Sequence, residues 1–407
     1  MRTALRLVAC LAAATVAVPG GAIAAPAEDW SARIGRDGLA ATEAALAALP
    51  APSPDDLFAR GGVRFLRAVE RALQTRWRHG ATAGLAPVPV LRLELPANPS
   101  PEDWTPDLVT GIFRDVAADM EAARGDLAAI PDDATIGLTV RLSDLWLDID
   151  GNGRRGEGEA LLPLVTGAFI DPWQMEEGMP AAPPAIRFDT ADAAWLSAYA
   201  HLVGAVADLV VAFDPTGPTE RVFAANRDRT DRFGHLYPSY YDVWGQRPAI
   251  DRIAIIVMAL RQKPDPALTR SARAHLLAMV EQNLRFWRLV AAETDNDAEW
   301  IPNARQTSAL GLRMAPDTGA AWTGVLGEIR ALLEGRRVIS HPGLPVGAGI
   351  DLAAWLEDPA PVDVLGWIHG IDALPYARIA PPLSSDAWLR FENMVEGQGL
   401  MYALILN

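Results

Sequence analysis

The chain of 407 residues contains one cysteine, Cys10, and it lies inside the first apolar stretch. Leu7–Val18 is a twelve-residue apolar run, preceded by Arg2 and Arg6 and broken by Pro19-Gly20-Gly21. Ala22-Ile23-Ala24 follows as a small-x-small cleavage pattern. A basic start, a short apolar run and small residues at its end read as an export signal, and the run is too short to cross a bilayer as a helix. Cleavage after Ala24 takes the only cysteine with it. The mature chain then has no disulfide, no thiol nucleophile and no thiolate metal site, so core packing and oxygen-ligated metal must supply its rigidity.

A second address is written in the same segment. Leu7-Val8-Ala9-Cys10 resembles the lipobox of bacterial lipoproteins, although the apolar run continues past the cysteine instead of ending there. The expected location is therefore exported, periplasmic or secreted, with a lipoprotein anchored through Cys10 as the alternative. Acids outnumber bases 51 to 36, for a formal charge of −15, and loss of Arg2 and Arg6 takes it to −17. That balance excludes nucleic acid and anionic membrane surfaces as natural partners. No later stretch reads as a transmembrane segment.

Half of the residues are hydrophobic and 21% are charged, enough apolar material for a large folded core. Helical periodicity dominates. Ser53-Pro54-Asp55-Asp56 is a helix start, with a capping serine, proline in the first turn and two acids, and apolar positions repeat to Trp77. Further helices are expected over 28–49, 107–130, 190–213, 250–260, 266–292, 319–333 and 386–395, with short strands near 91–95 and 135–142. Residues 219–248 read as irregular. The fold class is mainly α: a helical bundle or stacked helix pairs with a few short strands. The Pro/Gly-rich stretch 175–184 divides a signal peptide (1–24) and an N-terminal region (25–174) from a C-terminal region (185–407).

One segment carries a definite chemistry. Residues 148–159 read Asp-Ile-Asp-Gly-Asn-Gly-Arg-Arg-Gly-Glu-Gly-Glu. Calcium takes six to eight hard oxygen ligands around a tightly turned loop. Asp148, Asp150 and Asn152 offer side-chain oxygens at positions 1, 3 and 5, and Gly153 stands at the sharp turn of position 6. Arg154 offers a backbone carbonyl at position 7, and Glu159 a long carboxylate at position 12. The segment resembles the calcium loop of the EF-hand family. The resemblance covers these twelve residues alone and implies Ca2+ as the ion, with a helix on each side of the loop. Position 8, usually aliphatic and paired with a partner loop, is Arg155, and no second such loop is visible. An exported protein meets calcium near millimolar, where even an EF-type site with Kd of about 10⁻⁴–10⁻³ M is filled.

Other constellations are weaker. Glu293, Asp295, Asp297 and Glu299 crowd into seven residues and offer a second cation site, a pair of catalytic carboxylates or a solvated acidic loop. Phe233, His235, Tyr237, Tyr240, Tyr241 and Trp244 make an aromatic segment that either stacks on sugar rings or packs on helices. None of the six histidines forms a metalloprotease pair. His201 falls on an apolar helix face, as a hydrogen-bonded core residue would. His341 and His369 lie in Pro/Gly-rich loops within possible reach of Asp351 or Asp372. Trp195, Trp287 and Trp322 fall on helical apolar faces and are expected in the core. The sequence thus points to an exported calcium-binding protein with a structural EF-hand-type site. The alternative is a periplasmic hydrolase, glycan-directed, using carboxylates near 293–299 together with the 233–244 aromatics. No catalytic residue is specified, and a protein or glycan partner stays unnamed.

Overall fold

The computed structural model describes residues 28–81, 93, 95–161, 184–236, 238–243, 245–311, 314–395, 397 and 399–406. The export signal with Cys10, most of the 91–95 segment, and residues 162–183, which include most of the 175–184 boundary, lie outside these residues, as do Tyr237 and Trp244.

The fold is mainly α, as the periodicity predicts. Helix α1 spans Trp30–Ala47, α2 Pro54–Arg78 and α3 Leu108–Ala128. The Ser53 start works as read. Ser53 Oγ accepts from the Asp56 amide (3.2 Å), and Asp56 Oδ2 accepts from the Ser53 amide (2.9 Å). Helix α4, Thr190–Phe213, opens on a second capping box formed by Asp189 and Asp192. It ends at Asp214, whose φ of +34° stops the helix.

By length and composition α4 alone among the described helices is long and apolar enough to cross a membrane, with mean hydropathy 1.7, where no later stretch was expected to be. Here it is the central helix. It packs most extensively on α8 (Pro266–Ala292) and on its other flank against α3, which in turn packs on α2. Thr190 Oγ1 donates to the Ala134 carbonyl at one end, and Thr110 Oγ1 donates to Asp214 at the other, so α3 and α4 run antiparallel.

Residues 219–248 are not irregular. They form most of α5 (Thr216–Phe233), a short α6 (Tyr240–Val243) and the start of α7 (Arg247–Leu260), with α5 and α7 pairing as a hairpin. Pro218 lies in the first turn of α5, where the missing N–H would have had no acceptor, so it starts a helix instead of ending one. The periodicity was hidden because so little of α5 is apolar and buried: only Pro218, Thr219 and Val222 are covered.

The remainder comprises α9 (Thr318–Leu333), α10 (Leu352–Glu357), α11 (Val364–His369), α12 (Asp386–Met394) and α13 (Gly399–Leu406). Strands β1 (Leu138–Arg141) and β2 (Ala185–Phe188) pair antiparallel, and β3 (Ile339–Ser340), β4 (Ala348–Ile350) and β5 (Ala377–Ile379) form a second small antiparallel sheet in that order. Two main cores result. The larger joins α4, α8, α9, α12 and α13 around Phe286, Trp322 and Phe391; Trp195 and Trp287 belong to it as expected. The other joins α1 and α2 to residues 145–149 through Trp30, Leu73, Leu147 and Ile149, and it positions the 148–159 loop.

Candidate metal centre

The incoming segment is extended. Leu145, Leu147 and Ile149 alternate onto one face and are buried against α1 and α2. Trp146 points the other way, and its indole N–H donates to the Ile34 carbonyl (2.8 Å). Room for that ring comes from Gly38, which kinks α1 with a φ of +81°; a Cβ there would lie 3.0 Å from Trp146 Cζ2. The chain returns antiparallel: the Leu147 amide donates to the Glu159 carbonyl (2.8 Å) and the Leu161 amide to the Leu145 carbonyl (3.0 Å). Residues 148–159 are therefore the tip of a short hairpin. The resemblance implied a helix on the incoming side, and the structure has only a 3-10 turn over Leu142–Asp144 before the chain becomes extended. A period-two apolar pattern buries one face of an extended chain and would scatter around a helix.

Helix α2 holds the first residue of the loop. Glu70 Oε2 accepts from the Asp148 amide (2.9 Å), and Gln74 Nε2 donates to the Asp148 carbonyl (2.7 Å). Glu70 is 1% exposed and paired with Arg67. Burial pushes its carboxyl above the ordinary range, against the pull of the Asp148 N–H and the Arg67 charge. Neither Glu70 nor Gln74 is marked in the sequence as a site residue, because each is one polar position on an amphipathic helix.

Within the loop Gly151, Gly153 and Gly158 have φ of +73°, +72° and +85°, the left-handed turns that admit glycine freely. Asp148 Oδ2 accepts from the Gly153 amide (3.0 Å), Asp150 Oδ1 from the Asn152 amide (3.1 Å) and Asn152 Oδ1 from the Arg154 amide (2.7 Å). These bonds curl the chain so that its side-chain oxygens face one another. Glu159, 4% exposed, reaches back across the loop: Oε1 accepts from the Ile149 amide (2.8 Å) and Oε2 from the Gly156 amide (2.6 Å). One carboxylate oxygen from each of Asp148, Asp150 and Glu159 lies within 4.8 Å of the others.

Asp148 Oδ1 is buried with no hydrogen-bond partner. A buried, unpaired carboxylate oxygen is costly unless a cation or donor meets it. Such an oxygen, turned among hard-oxygen neighbours, fits a calcium ion. Asn152 and Arg154 sit on the same turn, the first with its amide oxygen and the second with its carbonyl. Arg155 folds back to donate to the Ser143 carbonyl (2.8 Å).

A second carboxylate group forms where the start of α4 meets the chain after α8. Asp189, Glu293 and Glu299 each bring an oxygen within 4.8 Å of the others. The sequence cluster is split: Asp295 and Asp297 turn toward Arg187 (3.5 and 3.6 Å), while Glu293 and Glu299 meet Asp189 and the buried Asp192 from the start of α4. Burial, reinforced by the Asp189 charge, pushes Glu293 up to about 8. Burial likewise raises Asp189 and Glu299, and carries Asp192 well above the carboxylate range. In the sequence Asp189 and Asp192 are legible only as a helix cap.

His201 is the core residue expected, with Nδ1 3.0 Å from Nδ1 of His275. Burial lowers it to about 4 and lowers His275 as well. His341 bonds to backbone, at the Trp367 carbonyl (2.9 Å) and the Gly343 amide (3.0 Å). Asp351 pairs with Arg378, so neither joins a histidine–acid pair. Of the aromatic segment, Phe233, Tyr240 and Tyr241 are exposed on α5 and α6. Comparison with protein-family models, curated proteins and solved structures finds no match.

Proposed function

We propose that this is an exported calcium-binding protein in which one ion fixes the 148–159 hairpin tip against α1 and α2. The carrying observation is Asp148 Oδ1, a buried carboxylate oxygen without a hydrogen-bond partner in a loop that brings one oxygen each from Asp148, Asp150 and Glu159 together. Asp148, Asp150, Asn152 and Glu159 supply side-chain oxygens, and Arg154 supplies its carbonyl. The ion neutralises three converging carboxylates and closes the turn; the buried base on Glu70 and Gln74 keeps the ligands at fixed separation. The role is structural: the loop joins a core that α1 and α2 already define. At 5 mM calcium, a Kd of 10⁻⁴–10⁻³ M adds about 1–2 kcal/mol to stability by mass action. For a chain of this size that is a rise in melting temperature of about 1–3 °C. The test is thermal melting in calcium against chelator. The wild type melts higher in calcium, and Asp148→Ala combined with Glu159→Ala removes the difference. Melting indifferent to both additions refutes the proposal.

The Glu293 carboxyl favours a second reading, a hydrolase. A group held near neutral beside Glu299 has the protonation range of a general acid. A glycoside screen in which Glu293→Gln abolishes turnover supports it; no turnover by the wild type removes it.

A further inference from the structure

Beyond the 293–306 segment, the start of α9 and the last turns of α8 enclose an open cavity of about 750 Å³. Its wall is largely apolar, with Leu284, Trp287, Val290 and Met314. Among the described residues no carboxylate lines it, in a chain where acids outnumber bases 51 to 36. Two arginines do. Arg288 is paired with Asp132 on the surface. Arg305 is exposed, donates one N–H to the Glu293 carbonyl (2.8 Å) and has no carboxylate partner among the described residues.

Unused donors lie on the same wall. The first-turn amides of a helix have no acceptor within it; the Thr318 amide donates to the Ala315 carbonyl (3.0 Å), while those of Gly319 and Ala320 receive no side-chain cap from Asp317. Its first three residues, Thr318, Gly319 and Ala320, all line the cavity. Thr318 is 1% exposed and its hydroxyl has no partner; the indole N–H of Trp287 has none either. Gly319 lets the benzo edge of Trp287 lie against the helix start. A Cβ there would lie 2.6 Å from Trp287 Cε3, so only glycine lets the ring rest against the helix start. The positive end of a 16-residue helix, an unpaired hydroxyl, an indole N–H and an unpaired guanidinium favour an anion. The apolar wall favours a hydrocarbon body.

We propose that this cavity binds a small carboxylic acid with an apolar body. The carboxylate meets the first turn of α9, Thr318 and Arg305, and the body lies against Trp287, Val290 and Met314. No step depends on the calcium loop, so failure of one proposal leaves the other standing.

The test is calorimetric titration of the full chain, in calcium and again in chelator. The probes are octanoate and 3-phenylpropionate, each against its neutral alcohol, octan-1-ol or 3-phenylpropan-1-ol. At least one acid binds at least ten-fold tighter than its alcohol, equally in both buffers; a preference for octanoate assigns a linear chain, and for phenylpropionate a ring. Arg305→Gln, a change on the exposed surface, weakens the acid at least five-fold and leaves the alcohol unchanged. Ala320→Trp, which fills the cavity, abolishes both. If neither acid binds, if acid and alcohol bind alike, or if Arg305→Gln binds as the wild type does, the proposal is wrong. Should Ala320→Trp fail to fold, Arg305→Gln decides alone.

Discussion

Replacing Glu293 by glutamine should flatten the pH dependence of stability. Glu293 is partly buried beside Asp189 and Glu299, and burial with the Asp189 charge lifts its carboxyl from 4.5 to about 8. A group whose folded pKa lies above its unfolded value adds stability below the unfolded pKa. That contribution fades as pH rises through the folded one. The window is therefore about pH 4.5 to 8. At 1.36 kcal/mol per unit the full shift is worth about 5 kcal/mol. More than a third of the group meets solvent, and screening reduces this to about 1–2 kcal/mol. Glutamine keeps the shape and an acceptor for Gln306 Nε2, which donates to Glu293 at 3.1 Å, and removes the titration. The assay is urea unfolding at pH 5, 7 and 9 in chelator. The wild type should lose about 1–2 kcal/mol more than Glu293→Gln between pH 5 and 9. Parallel profiles for the two proteins would refute the reasoning.

Two further variants test the scaffold. Ser53→Ala removes half of the α2 capping box and should lower the urea-unfolding free energy by about 1 kcal/mol. Gly38→Ala places a side chain at φ +81° and 3.0 Å from the Trp146 ring. It should cost about 1–3 kcal/mol in the same assay, and near-ultraviolet circular dichroism should report the displaced tryptophan.

Legibility followed distance along the chain. The α2 start at Ser53 and the α4 start at Asp189 were readable because a cap and its helix are neighbours in sequence. The Asp148, Asp150 and Glu159 cluster was readable because its members sit within twelve residues. What surrounds them was not. Glu70 lies 78 residues from Asp148, and nothing in an amphipathic helix says which polar position will be folded beneath a loop. Asp189 and Glu293 meet only because α4 and α8 run side by side. The incoming segment, open to strand or helix in the sequence, is extended because Leu145, Leu147 and Ile149 need a common buried face. Residues 219–248 looked irregular because a largely solvated helix leaves little periodic trace.

The central claim is tested most directly by equilibrium calcium binding to the chelator-stripped chain, measured for the wild type and Asp148→Asn. Asparagine preserves volume and an oxygen for the Gly153 amide while removing the charge of the unpaired carboxylate. One equivalent of calcium should bind to the wild type at this loop, with Kd at or below about 10⁻³ M. Asp148→Asn should weaken that equivalent at least ten-fold with an unchanged far-ultraviolet spectrum. Equal stoichiometry and affinity in the two proteins would contradict the account.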